Sequence, residues 1–186
     1  TFFRTDGPIS AVTGGTAATG PFLACAGATG QIRVIDPETG AQLQSFSHGR
    51  AVRALAAGGT HLLSSGLDHR VLDWDPDTGQ LRSELPMGHD AEVHALATAT
   101  HRGVLYALSG SLDGTVQRCP LDDPEASTEL ASGCGQVTGL AVVAGPEAGH
   151  MCPAVTRLSA RSAAAELRLN SRSDRRRARS PRAAKS

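Results

Sequence analysis

The sequence predicts an all-β fold made of about three four-stranded antiparallel sheets, followed by a basic C-terminal segment without a core of its own. Two observations predict the sheets: one segment occurs three times along the chain, and each copy contains four short apolar runs separated by turn residues. The composition points the same way, because aromatic residues make up only 3% of a chain that contains 21 glycines. Such a chain favours tight turns and thin, closely packed layers.

The repeat appears when the three copies are aligned without gaps. They begin at Cys25, Ser64 and Ser109, and so lie 39 and 45 residues apart. They read CAGATGQIRVIDPETGAQLQSF, SSGLDHRVLDWDPDTGQLRSEL and SGSLDGTVQRCPLDDPEASTEL. A period of this length with four strands in each unit is typical of the blades of a β-propeller.

Turn residues separate the apolar runs, which are too short for helices. Asp-Pro-Glu-Thr-Gly at 36–40 and Asp-Pro-Asp-Thr-Gly at 75–79 combine a proline of fixed φ with a glycine that tolerates positive φ, and reverse the chain between the third and fourth strands. Leu-Asp-Gly at 112–114 reverses it between the second and third. In the second copy the four runs span residues 52–56, 62–65, 71–75 and 81–85.

We therefore expect a partial propeller over residues 1–149. The glycine-rich stretch Thr13 to Gly20 (TGGTAATG) lacks the lysine of a phosphate-binding loop, and is predicted to connect the first two strands. The predicted blades span about residues 9–47, 51–86 and 91–131, and a fourth blade starts at 136–143.

The second copy resembles the WD-repeat (WD40) family. The family pattern places a serine four residues before an aspartate and a Trp-Asp pair six residues further on, which Ser64, Asp68 and Trp74 match. His48 stands at the position of the family's Gly-His pair, with Ser47 replacing the glycine. The resemblance covers about residues 9–143.

The third copy matches less completely and the first copy least. The third has His89, Ser109 and Asp113, but Cys119 stands where the family prefers tryptophan. The resemblance implies that such residues form hydrogen-bond networks inside the blades. Trp74, on a strand between Leu72 and Asp75, is expected to pack between blades rather than to be an exposed aromatic residue that binds a partner. The first copy departs at all three positions, which hold Cys25, Thr29 and Ile35.

The histidine, serine and aspartate side chains are also the residue types of a serine-hydrolase triad. A set that recurs once per blade favours a structural role over a catalytic one, so we expect no catalytic residue and no enzyme. We also expect no cofactor and no metal site, because the histidines show no ligand spacing. His61, His69, His94 and His101 are predicted to be loop or rim residues.

The function that the resemblance implies is a protein-interaction scaffold or adaptor that binds other proteins or peptides through its loops. Arg50, Arg70, Asp90 and Glu92 are the predicted contact residues because they lie in or near the loops. Propeller rings close with about four to eight blades, so three blades and part of a fourth predict a fragment or truncated isoform of a larger propeller protein. Further blades from the parent chain or a partner would complete it.

The C-terminal residues 150–186 differ in charge from the rest. They contain ten basic and two acidic residues, whereas residues 1–149 contain eight arginines and sixteen acidic residues. We expect a disordered Arg/Ser/Ala-rich tail. The alternatives that stay open for it are RNA binding, nuclear targeting, phosphorylation of Ser180 before Pro181, or a segment introduced by alternative splicing or an incorrect gene model.

The remaining features point to an intracellular location. The four cysteines show neither zinc-site pairing nor the density of a disulfide scaffold, so we expect reduced thiols. No apolar stretch approaches the roughly 20 residues that span a bilayer, so no membrane association is expected. We expect the chain in the cytoplasm, with the nucleus as the alternative.

Overall fold

The computed structural model describes residues 7–144, 151–156 and 165–166, which form an all-β structure. Three four-stranded antiparallel sheets follow one another along the chain, and the strands of each sheet pair in chain order. The predicted fold class is therefore confirmed. Within the described residues the helical structure is a short 3-10 turn at Pro124–Ala126. No helix among them is long and apolar enough to cross a membrane.

Each blade consists of four consecutive strands. The first blade contains β1 (Ile9–Ala17), β2 (Gly20–Gly27), β3 (Gln31–Ile35) and β4 (Gln42–Ser47). The second contains β5 (Val52–Gly58), β6 (His61–Gly66), β7 (Val71–Trp74) and β8 (Leu81–Leu85). The third contains β9 (Val93–His101), β10 (Val104–Ser111), β11 (Val116–Pro120) and β12 (Thr128–Ala131).

A fourth sheet continues past the predicted start of the fourth blade. Here β13 (Gly139–Ala144) pairs with β14 (Met151–Thr156), which pairs with β15 (Ala165–Glu166). The sequence predicted that the strand pattern would stop and that disorder would begin at residue 150, and β14 and β15 differ from that expectation. The short, largely apolar sequence of β14 supplies an antiparallel partner for β13, a signal hidden by the high charge of the segment as a whole. The rest of the predicted tail lies outside the described residues.

The glycine-rich stretch from Thr13 to Gly20 is not the connector that the sequence predicted. Its first five residues belong to β1, and only the next two form the turn. A Cβ atom added at Gly15 would lie 2.8 Å from both the Ala57 Cβ and the Phe22 Cζ. Glycine therefore allows β1 to approach the second blade closely, a constraint from tertiary packing that the local sequence does not reveal.

The core lies between the sheets. Successive residues of a strand face opposite sides, so Leu62 and Leu72 pack against the first blade, whereas Leu63 and Val71 pack against the third. All four are at most 2% exposed, and burial of each side chain contributes about 1.5–3 kcal/mol. Their partners are Phe22, Ile32 and Val34 in the first blade and Val93, Ala107 and Cys119 in the third.

The outer face of the first blade carries exposed apolar side chains. Phe22 and Ala24 of β2 face the second blade and are buried, whereas Leu23 between them is 40% exposed on the other side. Val12, which pairs with Cys25 across β1 and β2, is 62% exposed. Among residues 7–144 no further sheet packs on this face, although it has the apolar character of a surface that another sheet would cover.

The close approach of β1 to the second blade gives a testable prediction for two adjacent glycines. Gly15→Ala should lower the free energy of unfolding by about 1–3 kcal/mol, because the new methyl group would overlap Ala57 and Phe22. Gly14→Ala is the matched control, since its Cβ would meet Leu23 at an ordinary 3.4 Å. Urea denaturation of both variants measures the difference, and equal stabilities would contradict the packing described here.

Candidate functional site

A buried hydrogen-bond network, here called the His48 network, lies in the second blade. Its histidine follows β4, its serine lies in β6, its aspartate in the β6–β7 turn and its tryptophan in β7. The His48 Nδ1 atom lies 2.8 Å from the Ser64 Oγ atom, and the Nε2 atom lies 3.0 Å from Asp68 Oδ1. The Trp74 Nε1–H group donates to Ser64 Oγ over 2.7 Å.

The partners fix the proton positions in the His48 network. A carboxylate only accepts, so the His48 Nε2–H group donates to Asp68, and Nδ1 accepts from the Ser64 hydroxyl. The same hydroxyl oxygen accepts the Trp74 N–H group. This arrangement gives every polar group of the network a partner, and each bond contributes about 1 kcal/mol net.

The third blade contains a corresponding His89 network with the two ring nitrogens exchanged. Here Nε2 lies 2.7 Å from the Ser109 Oγ atom, and Nδ1 lies 3.2 Å from Asp113 Oδ2 and 3.0 Å from Thr115 Oγ1. The backbone N–H group of Asp90 donates to the Asp113 carboxylate over 3.0 Å. The structure therefore brings together all seven residues for which the sequence implied a blade network.

Burial and hydrogen bonding set the protonation states of the His89 network. Burial lowers the pKa of His89 below 6.5, although the nearby Asp113 carboxylate acts in the opposite direction. Burial alone would raise the pKa of Asp113, but hydrogen bonds from the side chain and backbone of Thr115 and from the backbone of Asp90 outweigh it and lower that pKa to about 2. At neutral pH the network therefore pairs a neutral imidazole with a carboxylate.

Cysteines occupy network positions in the other copies. Cys119, at the tryptophan position of the third blade, is fully buried, and burial, followed by the charges of Asp123 and Asp73, raises its pKa to about 11. Burial also raises the pKa of Cys25, at the serine position of the first blade. Both are free, protonated thiols at neutral pH, and neither has the character of a nucleophile.

The geometry gives no support to a hydrolase that uses these serines. Ser64 and Ser109 are both 0% exposed, so a substrate would have no access to either hydroxyl. Within the described part of the chain, no group of three or more His, Cys, Asp or Glu side chains is arranged to hold a metal ion. Trp74 packs in the core between the first and second blades, with its ring 4.8 Å from that of Phe46.

Two polar contacts had no signal in the sequence. The Asp77 carboxylate accepts hydrogen bonds from the Ala18 N–H group at 2.9 Å and from the hydroxyl of Thr19, and so joins the β7–β8 turn to the β1–β2 turn of the first blade. His61, predicted as a loop or rim residue, begins β6, and its Nδ1 atom lies 2.9 Å from the nearly buried Asp73 carboxylate. Asp77 lies 59 residues from Ala18 in the sequence, and neither contact belongs to the repeated pattern.

A groove opens between the second and third blades at the end that carries the β6–β7 turn and the β8–β9 loop, and we call it the loop-end groove. Its volume is about 590 Å³. Arg70 is the predicted contact residue that lines it, and its guanidinium group pairs with the Glu84 carboxylate. The lining residues are Asp68, His69, Arg70, Glu84, Leu85, Pro86, Met87, Gly88 and His89.

The other predicted contact residues lie outside this lining. Arg50 and Asp90 are exposed. The Glu92 carboxylate lies 2.7 Å from the His94 Nε2 atom and 4.0 Å from Arg53 Nε. The structure therefore does not gather the four residues into one site.

One residue of the loop-end groove has an unusual backbone conformation. His69 has a φ of 65°, and the aligned positions of the first and third blades hold Gly30 and Gly114, with φ values of 76° and 85°. A side chain in this left-handed region costs about 1 kcal/mol relative to glycine. The imidazole is exposed and lines the groove, so the second blade places a functional group where the other two have none.

Comparison with known proteins identifies the fold. No protein-family model and no curated protein sequence matches the chain. The crystal structure of RRP9 WD40 repeats is similar to it with a TM-score of 0.64 and 21% identity. The fold is WD40-like. The similarity covers 81% of this chain and 49% of the RRP9 chain, so this WD40-like array spans about half of that structure.

A designed protein has a similar fold. The crystal structure of the computationally designed Ika4 protein matches with a TM-score of 0.68 and 22% identity, over 83% of this chain and 89% of that one. At such identities the similarity establishes the arrangement of the blades alone. The function must therefore be argued from the surfaces of this chain.

The His48 and His89 networks predict different costs for removing their serines. Ser64→Ala would leave two buried groups without a partner, the Trp74 N–H group and the His48 Nδ1 atom, and should cost about 2–4 kcal/mol. Ser109→Ala would leave only one buried group, the His89 Nε2 atom, without a hydrogen-bond partner. It should therefore cost about 1–2 kcal/mol less than Ser64→Ala. Chemical denaturation measures the loss in the free energy of unfolding for both variants. Equal losses would show that the hydrogen bond from Trp74 to Ser64 contributes nothing to stability.

The lowered pKa of His89 predicts how stability depends on pH. The folded protein binds this proton less readily than the unfolded chain, so the contribution of neutral His89 is complete above about pH 6.5 and declines as the pH falls below it. The stability advantage of the wild type over His89→Asn should therefore narrow between about pH 8 and pH 5. His69→Asn, at the surface, is the matched control. If the difference in the free energy of unfolding between the wild type and His89→Asn stays constant across this pH range, the pKa of His89 is not lowered in the folded protein.

Proposed function

We propose that this chain is a protein-binding scaffold that holds an extended peptide segment of another protein in the loop-end groove. The groove itself is the observation that carries the proposal. Its wall and floor combine apolar side chains, among them Pro86 and Met87, with the charged pair of Arg70 and Glu84. This mixture of apolar and directional polar groups is typical of surfaces that bind peptides.

The rigidity of the groove supports this role. Asp68 and His89 line it and also belong to the two buried networks, so both walls are fixed before a ligand arrives. A preformed site loses less conformational entropy on binding than a flexible loop does. The scaffold needs no catalytic group, and the buried serines of the networks supply none.

The backbone conformation of His69 also supports the loop-end groove as the binding site. Strained backbone at an exposed position is often retained because the side chain has a role in binding. In this proposal the imidazole of His69 contacts the peptide beside Arg70, whose ion pair with Glu84 is exposed and contributes little to stability. These residues can therefore be changed without unfolding the blades.

The exposed apolar side chains on the outer face of the first blade support the proposal that further blades complete the scaffold. Leu23 and Val12 occupy the side that, in the second blade, is covered by its neighbour. In the proposal these blades come from a longer parent chain or from a partner. We place the scaffold in the cytoplasm, with the nucleus as the alternative that the basic segment favours.

The proposal predicts opposite effects of one substitution on binding and on stability. His69→Gly should keep or raise the free energy of unfolding, by up to about 1 kcal/mol, because glycine relieves the left-handed strain. The peptides for this test are selected from a displayed random library for binding to the wild-type chain. His69→Gly should weaken their binding, and so should Arg70→Ala. Glu129→Ala, at an exposed position in β12, is the control. If the selected peptides bind all variants equally, the loop-end groove is not the peptide-binding site.

RNA binding through the basic segment is the alternative function that the sequence suggested. The arginine-rich residues responsible for it lie outside the described part of the chain, so this alternative stays a prediction from charge alone. Removing residues 157–186 tests it directly, because RNA binding that persists unchanged would exclude the segment as the binding element.

A further inference from the structure

A second groove lies at the opposite end of the first two blades, between the β1–β2, β3–β4 and β7–β8 turns, and we call it the turn-end groove. Two adjoining cavities of about 230 Å³ each form it, and both are lined by Thr19 and Leu43. Because the strands are antiparallel and pair in order, these turns are at the end of the blades away from the loop-end groove. The two grooves are therefore separate surfaces.

The turn-end groove combines an apolar floor with an acidic rim. Leu43 is 47% exposed, and Pro21 and Pro76 lie beside it. Among the described residues that line the two cavities there is no Lys, Arg or His. The carboxylates on its rim belong to Asp36, Glu38 and Asp77.

The Asp36 and Asp77 carboxylates are held in the charged form at neutral pH. Hydrogen bonds from the backbone of Thr39 and of Glu38 lower the pKa of Asp36, and a hydrogen bond from the Thr19 hydroxyl lowers that of Asp77. The Glu38 carboxylate makes no hydrogen bond or ion pair with any described residue. A ligand that fits this groove needs cationic groups carried on apolar stems.

Arginine side chains have this character, because the aliphatic stem packs on apolar surface while the planar guanidinium binds a carboxylate. Residues 167–186 of this chain contain eight basic residues and one acidic residue. Residues 7–144 contain seven arginines and fourteen acidic residues. We propose that the arginine-rich segment 167–186 docks in the turn-end groove of its own chain, with its guanidinium groups on the acidic rim.

The segment is long enough for this contact. Its 20 residues span up to about 70 Å when extended, whereas a compact domain of this size has a radius of gyration of about 14 Å. The loop-end groove is a poorer site for it, because Arg70 lines that surface and already pairs with the Glu84 carboxylate there. Docking would also shield the arginines from RNA, so the groove and a nucleic acid would compete for the same segment.

The test uses a labelled peptide of residues 167–186 and full-length chains, with fluorescence anisotropy as the readout. In the recipient chain Arg175, Arg176, Arg177 and Arg179 are all replaced by Gln, which frees its groove. This recipient should bind the peptide, and higher salt should weaken the binding. The wild-type chain should bind it more weakly at every protein concentration, because its own segment competes within the same molecule.

Substitutions in the groove make the test specific. In the recipient, Glu38→Gln combined with Leu43→Ser should weaken peptide binding about tenfold, by removing one charge pair and one apolar contact. Both side chains are exposed, so unfolding midpoints should not change. Glu129→Gln, an equal charge change at a distant exposed position, is the matched control and should leave binding within about twofold.

Three results would overturn the proposal. One is a recipient that fails to bind the peptide at low salt. Another is an equal loss of binding in the groove variant and the Glu129→Gln control, which would indicate attraction by overall charge. In the third, the segment of the wild-type chain competes with the peptide only at high protein concentration. The segment of one molecule would then dock in the turn-end groove of another molecule.

Discussion

The structure depends on sheets that pack face to face and are buried on both sides. In the second blade, consecutive residues of one strand, Leu62 and Leu63, pack against different neighbouring blades. Such stacking requires the innermost strands to approach closely. Gly58 meets Thr98 of the third blade and Gly110 meets Val137 at distances that would not admit a Cβ atom. Glycine at these two strand positions therefore follows from the geometry of the stack.

Polar groups that this packing buries must find partners within the blades. Ser64 lies on the face that packs against the first blade, where an unpaired hydroxyl would cost about 1–3 kcal/mol. His48 and Trp74 remove that cost by bonding to the same oxygen atom. In the third blade the tryptophan position holds the fully buried Cys119, which needs no strong hydrogen bond. The two networks thus solve the same problem with different numbers of partners.

The sequence predicted what is periodic and missed what depends on distant neighbours. Alternating apolar residues and Asp-Pro-x-Thr-Gly turns predicted the three sheets, because these signals act within a few residues. The glycine-rich part of β1 was misassigned because Gly15 is explained only by Ala57 of another blade. The contact of Asp77 with the β1–β2 turn was missed for the same reason, whereas the pairing of β14 with the preceding strand β13 was missed because the basic segment as a whole has a high charge. The loop-end groove is likewise a property of two blades together, and of its charged residues only Arg70 was anticipated as a contact.

In the proposed scaffold, stability and recognition are coupled because the networks and the loop-end groove share residues. Asp68 accepts a hydrogen bond from the buried His48 and is followed by His69, whose left-handed conformation directs a side chain toward the groove. His89 lies within the other network and also lines the groove. The hydrogen bond from His48 therefore fixes the residue that immediately precedes His69, and the buried network and one edge of the groove are parts of the same turn.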